Sequence, residues 1–237
     1  MAGERLEPTE RSRVRRLHER GSHELATIAA ILDAGLVAHV GYVIDGEPYV
    51  TPTAYWREGS NVYWHGSRAS RAIRAQHGLP VCLTVTHLDG LVLARSGFHH
   101  SLNYRSVMLF GRARAVADPA AKRAALDAFV DRILPGRAAA LRPPSAPELK
   151  ATTVMVMALE EGSAKLRTGP PKDEEADYAL PIWAGVVPLR LVPGAIQDDP
   201  RLLPGLAAPE HVRRLVAAGS LDAALAAAAR AVEPAAA

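Results

Sequence analysis

The residues His65-Gly66-Ser67-Arg68-Ala69-Ser70-Arg71 place two hydroxyls and two guanidinium groups on one short turn. Hydroxyl and guanidinium donors are what a phosphate monoester binds, the guanidinium through charge-assisted hydrogen bonds. A strand ends here and a helix begins, so unpaired backbone N–H groups join the donor set. Arg74 adds a third cation one turn later. The same residues also fit a plain helix start, with Ser67 as the cap and the arginines in water. The turn alone does not choose between the two.

A second polar run lies between two apolar segments and holds Arg95, Ser96, His99, His100, Ser101, Asn103, Tyr104, Arg105 and Ser106. Such groups are costly to bury without partners. A flat polar ligand such as an isoalloxazine edge supplies partners, and so does water around a loop. A third region brings Lys165 and Arg167, two residues apart and so on one face of a strand end. Trp183 follows within Pro181–Leu189. It suits stacking on a flat ring, or a place in the core or a subunit interface.

Other chemistries are poorly served. His39, His65, His99 and His100 match no zinc or iron spacing and have no paired carboxylates, so no metal site is expected, haem iron included. The chain lacks a Gly-x-Ser-x-Gly elbow, a Gly-x-Gly-x-x-Gly loop and a Walker-type loop. The single cysteine, Cys82, excludes an internal disulfide framework and a cysteine-based zinc site. With 49% hydrophobic and 22% charged residues and a formal charge of +3, the 237-residue chain reads as globular. No apolar run approaches the roughly 18 residues of a membrane span, and the charged start is not a secretory signal. The expectation is cytoplasmic, with no membrane and no nucleic-acid partner. Arg11, Arg13, Arg15, Arg16 and Arg20 read as a solvated arm or first helix.

The elements that must hold these residues follow from periodicity. His23 to Ala34 reads as a helix stopped by Gly35. Leu36–Ile44 and Glu47–Trp56 read as a hairpin about Asp45-Gly46, and Val62–His65 as the next strand. Arg68–His77 is a short helix. Leu79–His87 is a strand bounded by Asp89-Gly90, Leu91–Ser96 begins another, and Tyr104–Val116 resumes the pattern after a loop. Pro119 opens a helix to about Leu134. Thr152–Leu159 and part of Pro181–Leu191 are further strands. Glu210–Ala218 and Leu221–Val232 are helices expected to be peripheral, with a disordered end. Short strands joined by tight turns point to a mainly β fold, an antiparallel sheet closing into a β-barrel.

Together these segments resemble the flavin-nucleotide-binding, nitroimidazole reductase-like branch of the pyridoxamine 5'-phosphate oxidase-like superfamily. The resemblance runs from about Arg16 to Leu191. It is carried by Glu19-Arg20-Gly21, His65-Gly66-Ser67 with Ser70-Arg71, Asp89 through Ser96, His99-His100-Ser101 with Asn103 through Val107, and Trp183-Ala184-Gly185.

The resemblance implies a six-stranded antiparallel split barrel over 16–192, with a helical extension over 193–237. It also implies a homodimer with FMN at the interface. It places the FMN phosphate at Gly66, Ser67, Ser70 and Arg71. Ring contacts fall to Thr53, Tyr55 and Trp56, to Asn103, Tyr104, Arg105 and Ser106, and to Lys165 and Trp183. His65 takes the place of a histidine near the flavin, to donate a proton or hold substrate. The implied activity is an FMN-dependent oxidoreductase passing electrons from reduced nicotinamide to a nitroaromatic or quinone-like acceptor. The alternatives are an FMN carrier without turnover, or F420 or haem in the same barrel, with His99-His100 the pair to test for haem. The tryptophan-bearing C-terminal signature of true pyridoxamine phosphate oxidases is missing after Pro193, so vitamin B6 oxidation is not expected.

Overall fold

Alternation of side chains builds the sheet. The structure, a computed structural model, describes residues 4–232. After a two-residue strand β1 (Gly21–Ser22) and helix α1 (Leu25–Leu32), strand β2 (Val37–Ile44) turns Ala38, Val40 and Tyr42 inward and Val37, His39 and Val43 outward. Asp45 and Gly46 then both adopt positive φ, 53° and 84°, the two-residue turn whose twist matches a hairpin. It leads into the long β3 (Glu47–Glu58), followed by β4 (Asn61–Ser67) and the short helix α2 (Arg71–Gln76). Strands β5 (Pro80–Leu93), β6 (Ser101–Arg112) and β7 (Arg114–Ala115) precede helix α3 (Pro119–Ile133). Helix α4 (Ala146–Ala151), β8 (Thr152–Ala158), β9 (Glu161–Arg167), β10 (Gly185–Pro188), α5 (Glu210–Ala217) and α6 (Leu221–Val232) complete the chain.

The strands form one antiparallel sheet in the order β1-β9-β6-β5-β2-β3-β4-β8-β7, with β10 added to β5. The sheet curls until β8 meets β6 without pairing. A side chain on Gly111 of β6 would meet the Met157 side chain of β8 at 2.7 Å, so the two strands close together over a glycine. The fold class is the expected barrel with peripheral helices, but ten strands among the described residues replace six. The surplus is largely short: β1 and β7 have two residues each and β10 four, too few for periodicity to reveal.

One strand boundary also differs. Asp89-Gly90, read from its composition as a turn, lies inside β5, where the register with β6 shifts between Leu88 and Gly90. It is a bulge. A Cβ on Gly90 would sit 3.1 Å from the Val187 carbonyl of β10, a tight fit that glycine avoids. The hairpin turn comes later, at 94–100.

Two apolar layers result. The barrel interior holds Leu83, Val85, Leu109, Trp64, Tyr55 and Met155, plugged by Ile28, Ile31 and Leu32 of α1. On the outer face, α3 roofs only one half. It starts at an Asp118 cap that accepts from Ala121 N at 2.7 Å, with Pro119 in the first turn, and packs Ala125 and Phe129 onto Trp56, Tyr63 and Val154. The other half, over β2, the start of β3, β5 and β6, exposes Val37, Val43, Val50 and Met108.

The C-terminal end of α1 is closed by side chains from three directions. His87 Nε2 meets the Ile31 carbonyl at 2.9 Å, the Tyr55 hydroxyl donates to the Leu32 carbonyl at 2.5 Å, and Arg132 donates to the Asp33 carbonyl. These are the carbonyls a helix end leaves without intrahelical partners. Arg132 also donates to the Leu225 carbonyl of α6 at 2.6 Å, and Leu225 is buried. Helix α6 is therefore seated on α3 through a buried residue, not peripheral as its alanine-rich sequence implied. The final residues, 233–237, lie outside those described. At the other terminus, Arg11 pairs with Glu161 and lies over the Phe110 ring at 4.8 Å, so part of the arginine-rich arm is tied down. Among the described residues, no helix is long and apolar enough to cross a membrane.

Candidate functional site

Strand β4 delivers the phosphate-type turn. Register with β8 runs unbroken to Ser67↔Thr152, and the Arg68 amide then donates to the Ala151 carbonyl at 2.8 Å, which anchors the turn to α4. Gly66 is required by packing: a Cβ there would meet Ile73 of α2 at 2.8 Å. Ser70 caps α2, accepting from Ile73 N at 3.4 Å, and Ser67 Oγ accepts from Ala69 N at 3.2 Å. Each hydroxyl hydrogen remains available to a ligand oxygen. Ser67, Arg68 and Arg71 are exposed, with Arg71 over the Tyr49 ring at 5.5 Å. Both readings of the turn thus hold for Ser70, while the arginines stand open with no acidic partner among the described residues.

His65 shares a face of β4 with Ser67, about 7 Å along the strand. It is half-buried, 4.8 Å from the Phe129 ring and 6.0 Å from that of Trp56. Its Nδ1 is buried with no hydrogen-bond partner among the described residues, and burial pushes its pKa below the usual histidine value. The imidazole is thus neutral at pH 7, which favours holding a ligand by hydrogen bond over acting as a general acid.

Several expected ring contacts are placed otherwise. Tyr55 has 0% exposure inside the barrel, and Trp56 has 1% beneath α3. Neither ring can reach a ligand outside the protomer core. Thr53 is half-buried, with its hydroxyl on the Ala54 carbonyl. Asn103 and Arg105 are occupied in fastening the fold. Asn103 donates to the Gly169 carbonyl and accepts from Arg167, and Arg105 holds Asp89 at 2.7 Å and Asp222 of α6 at 3.3 Å. Tyr104 and Ser106 point to the outer face, the latter bonded to the Lys165 carbonyl at 3.2 Å. Lys165 Nζ caps the Arg16 carbonyl at 3.2 Å. Trp183 is 68% exposed. The sequence showed which residues were polar but not which were already committed to one another.

Comparison with known proteins settles the family. The family model described as pyridoxamine 5'-phosphate oxidase matches residues 24–166, more than half of the chain. The chain belongs to this family. Two solved structures are similar over nearly their whole length. The flavocytochrome Anf3 of Azotobacter vinelandii is 47% identical, with a TM-score of 0.85, covering 88% of this chain and 98% of its own. A protein of Mycobacterium smegmatis that binds FAD and haem is 40% identical, with a TM-score of 0.82, covering 85% and 98%. A candidate 5-nitroimidazole antibiotic resistance protein of Bacteroides thetaiotaomicron shares the fold at 23% identity and a TM-score of 0.50, covering 61% of this chain and 85% of its own. No curated protein matches the chain. The family is a flavin-binding split-barrel family.

Proposed function

We propose that the protein is a redox protein that carries a flavin and a haem, working as a homodimer with the flavin at the subunit interface. The observation that carries this reading is the similarity, over 98% of their lengths, to a flavocytochrome and to an FAD- and haem-binding protein. FAD is preferred over FMN because the second of these is named for FAD. When bound, a flavin takes up a hydride from a donor such as reduced nicotinamide and gives up electrons singly, the form in which haem iron accepts them.

The chain's own residues supply binding and orientation. Ser67, Ser70, Arg68 and Arg71 offer hydroxyl and guanidinium donors to phosphate oxygens. Neutral His65, on the same strand face as Ser67, holds the ligand by a hydrogen bond. A dimer is consistent with the sheet order. Strands β5, β2 and β3 separate β6, which carries Tyr104 and Ser106, from β4, which carries the phosphate turn. One flavin touches both sets if they come from two copies facing each other. The outer face, with exposed Val37, Val43, Val50 and Met108, is the apolar surface such a partner covers.

Light scattering after size exclusion is expected to give a dimer. The double variant Val50→Arg, Met108→Arg places charges on that face and is expected to give a folded monomer with flavin affinity lowered roughly tenfold or more. A wild-type monomer that holds flavin, or a variant monomer with unchanged affinity, contradicts the interface site.

A further inference from the structure

Three histidines among the described residues have one ring nitrogen committed to a backbone carbonyl: His23 Nδ1 to Gly162, His87 Nε2 to Ile31, and His100 Nδ1 to Ser96, each at 2.9 Å. A carbonyl only accepts, so the committed nitrogen carries the proton, and the other keeps its lone pair in the neutral ring. That is how metal-binding histidines are held. His87 is enclosed at the α1 mouth, where a Cβ on Gly35 would meet its ring at 2.8 Å, and His23 is partly buried. His100 alone of the three is exposed, with Nε2 at the tip of the β5–β6 hairpin.

The hairpin beside it is an apolar shelf. Leu91 pairs with Leu102 on one side and Val187 of β10 on the other, and all three are exposed. In the next row Leu93 pairs with Gly185, and His100 directly precedes Ser101, the residue of β6 that pairs with Val92 beside Leu93. The Trp183 ring stands where a Gly185 side chain would go, 2.9 Å from a Cβ built there. Phe98, in the same turn, is 91% exposed. Three strands by two rows span roughly 10 by 7 Å, the scale of a porphyrin ring. No three histidine, cysteine, aspartate or glutamate side chains converge among the described residues, but a porphyrin supplies four of the iron's ligands, and one imidazole completes a haem site.

We propose that His100 Nε2 is an axial ligand of haem iron, with the porphyrin lying against Leu91, Leu93, Leu102, Phe98 and Trp183. The assignment rests on the haem reading above and adds to it the ligand and the surface. The test titrates the flavin-loaded full-length protein with haemin and follows the Soret band and electron paramagnetic resonance, with flavin content and thermal unfolding as controls. His100→Ala is expected to lower haem affinity roughly tenfold or more, with flavin content and unfolding temperature unchanged. His99→Ala is expected to bind haem as the wild type does. In His100→Gly, added imidazole is expected to restore the wild-type spectrum. Wild-type protein that takes up no haem overturns both the haem reading and the ligand. Wild-type uptake that survives His100→Ala with an unchanged spectrum overturns the ligand alone.

Discussion

Arg71→Glu is expected to lower flavin affinity by about 30- to 1,000-fold without unfolding the protein. Arg71 is exposed at the start of α2, with its guanidinium over the Tyr49 ring at 5.5 Å, so the fold loses little. A charge-assisted hydrogen bond is worth about 1.5–3 kcal/mol, and reversing the charge adds repulsion against a phosphate. A total of about 2–4 kcal/mol gives the stated range. Ser67→Ala removes one neutral donor and is expected to cost less, about 1 kcal/mol. Flavin fluorescence titration of the apoprotein measures both. Affinities within threefold of wild type for Arg71→Glu would place the phosphate elsewhere. A cleft of about 850 Å3 between α3 and residues 138–148 would then be the place to look, since Arg123 and Arg142 line it.

Arg132→Met is the second large effect, and it falls on stability. Arg132, only 6% exposed, joins the end of α1 to α6 through the carbonyls of Asp33 and Leu225. Methionine keeps much of the stem's packing but leaves the Asp33 carbonyl without its donor, while the Leu225 carbonyl keeps its helical bond and loses the guanidinium. An unsatisfied buried carbonyl costs about 1–3 kcal/mol, and a lost hydrogen bond to a charged donor about 1.5–3 kcal/mol. Part is recovered because α6 can lift and let water in, which gives an expected loss of about 3 kcal/mol. For a chain of this size that lowers the unfolding temperature by roughly 6–12 °C. Limited proteolysis separates the causes: cleavage between α5 and α6 is expected to quicken before global unfolding. A shift under about 2 °C with unchanged cleavage would mean that the clamp is not what holds α6.

Local signals in the sequence were legible where one residue type has one conformational use. Asp45-Gly46 made its hairpin, Pro119 opened its helix, and Gly66 marked the strand-to-helix turn. The same Asp-Gly pair at 89–90 made a bulge, against which β10, more than ninety residues later, packs within 3.1 Å of a Cβ built on Gly90. Nothing nearby announces that strand. Burial followed a similar rule. Tyr55 and Trp56 have opposite side-chain directions on β3, so both could face a ligand only if one side of the strand were open. Instead the barrel interior takes Tyr55 and α3 takes Trp56.

Commitments between polar groups were the least legible. Asn103 with Arg167, and Arg105 with Asp89 and Asp222, read in sequence as donors awaiting a ligand, yet they satisfy one another across separations of 64, 16 and 117 residues. The His99-His100 pair was visible, but the feature that distinguishes His100, its Nδ1 bonded to the Ser96 carbonyl, is set by the 3-10 turn between them. Trp183 was visible as a stacking residue, while the shelf it completes depends on β10 pairing with β5.

The central claim is that one chain carries both a flavin and a haem. The most direct measurement is the absorbance spectrum of the purified protein, with mass spectrometry of whatever acid releases from it and haem counted as its pyridine complex. The account predicts oxidised-flavin bands beside a Soret band, with FAD and haem b in near-equal amounts per chain. Flavin with no haem, even after haemin is added, would contradict the two-cofactor account and leave a simple flavoprotein. A colourless protein that takes up neither would contradict it altogether.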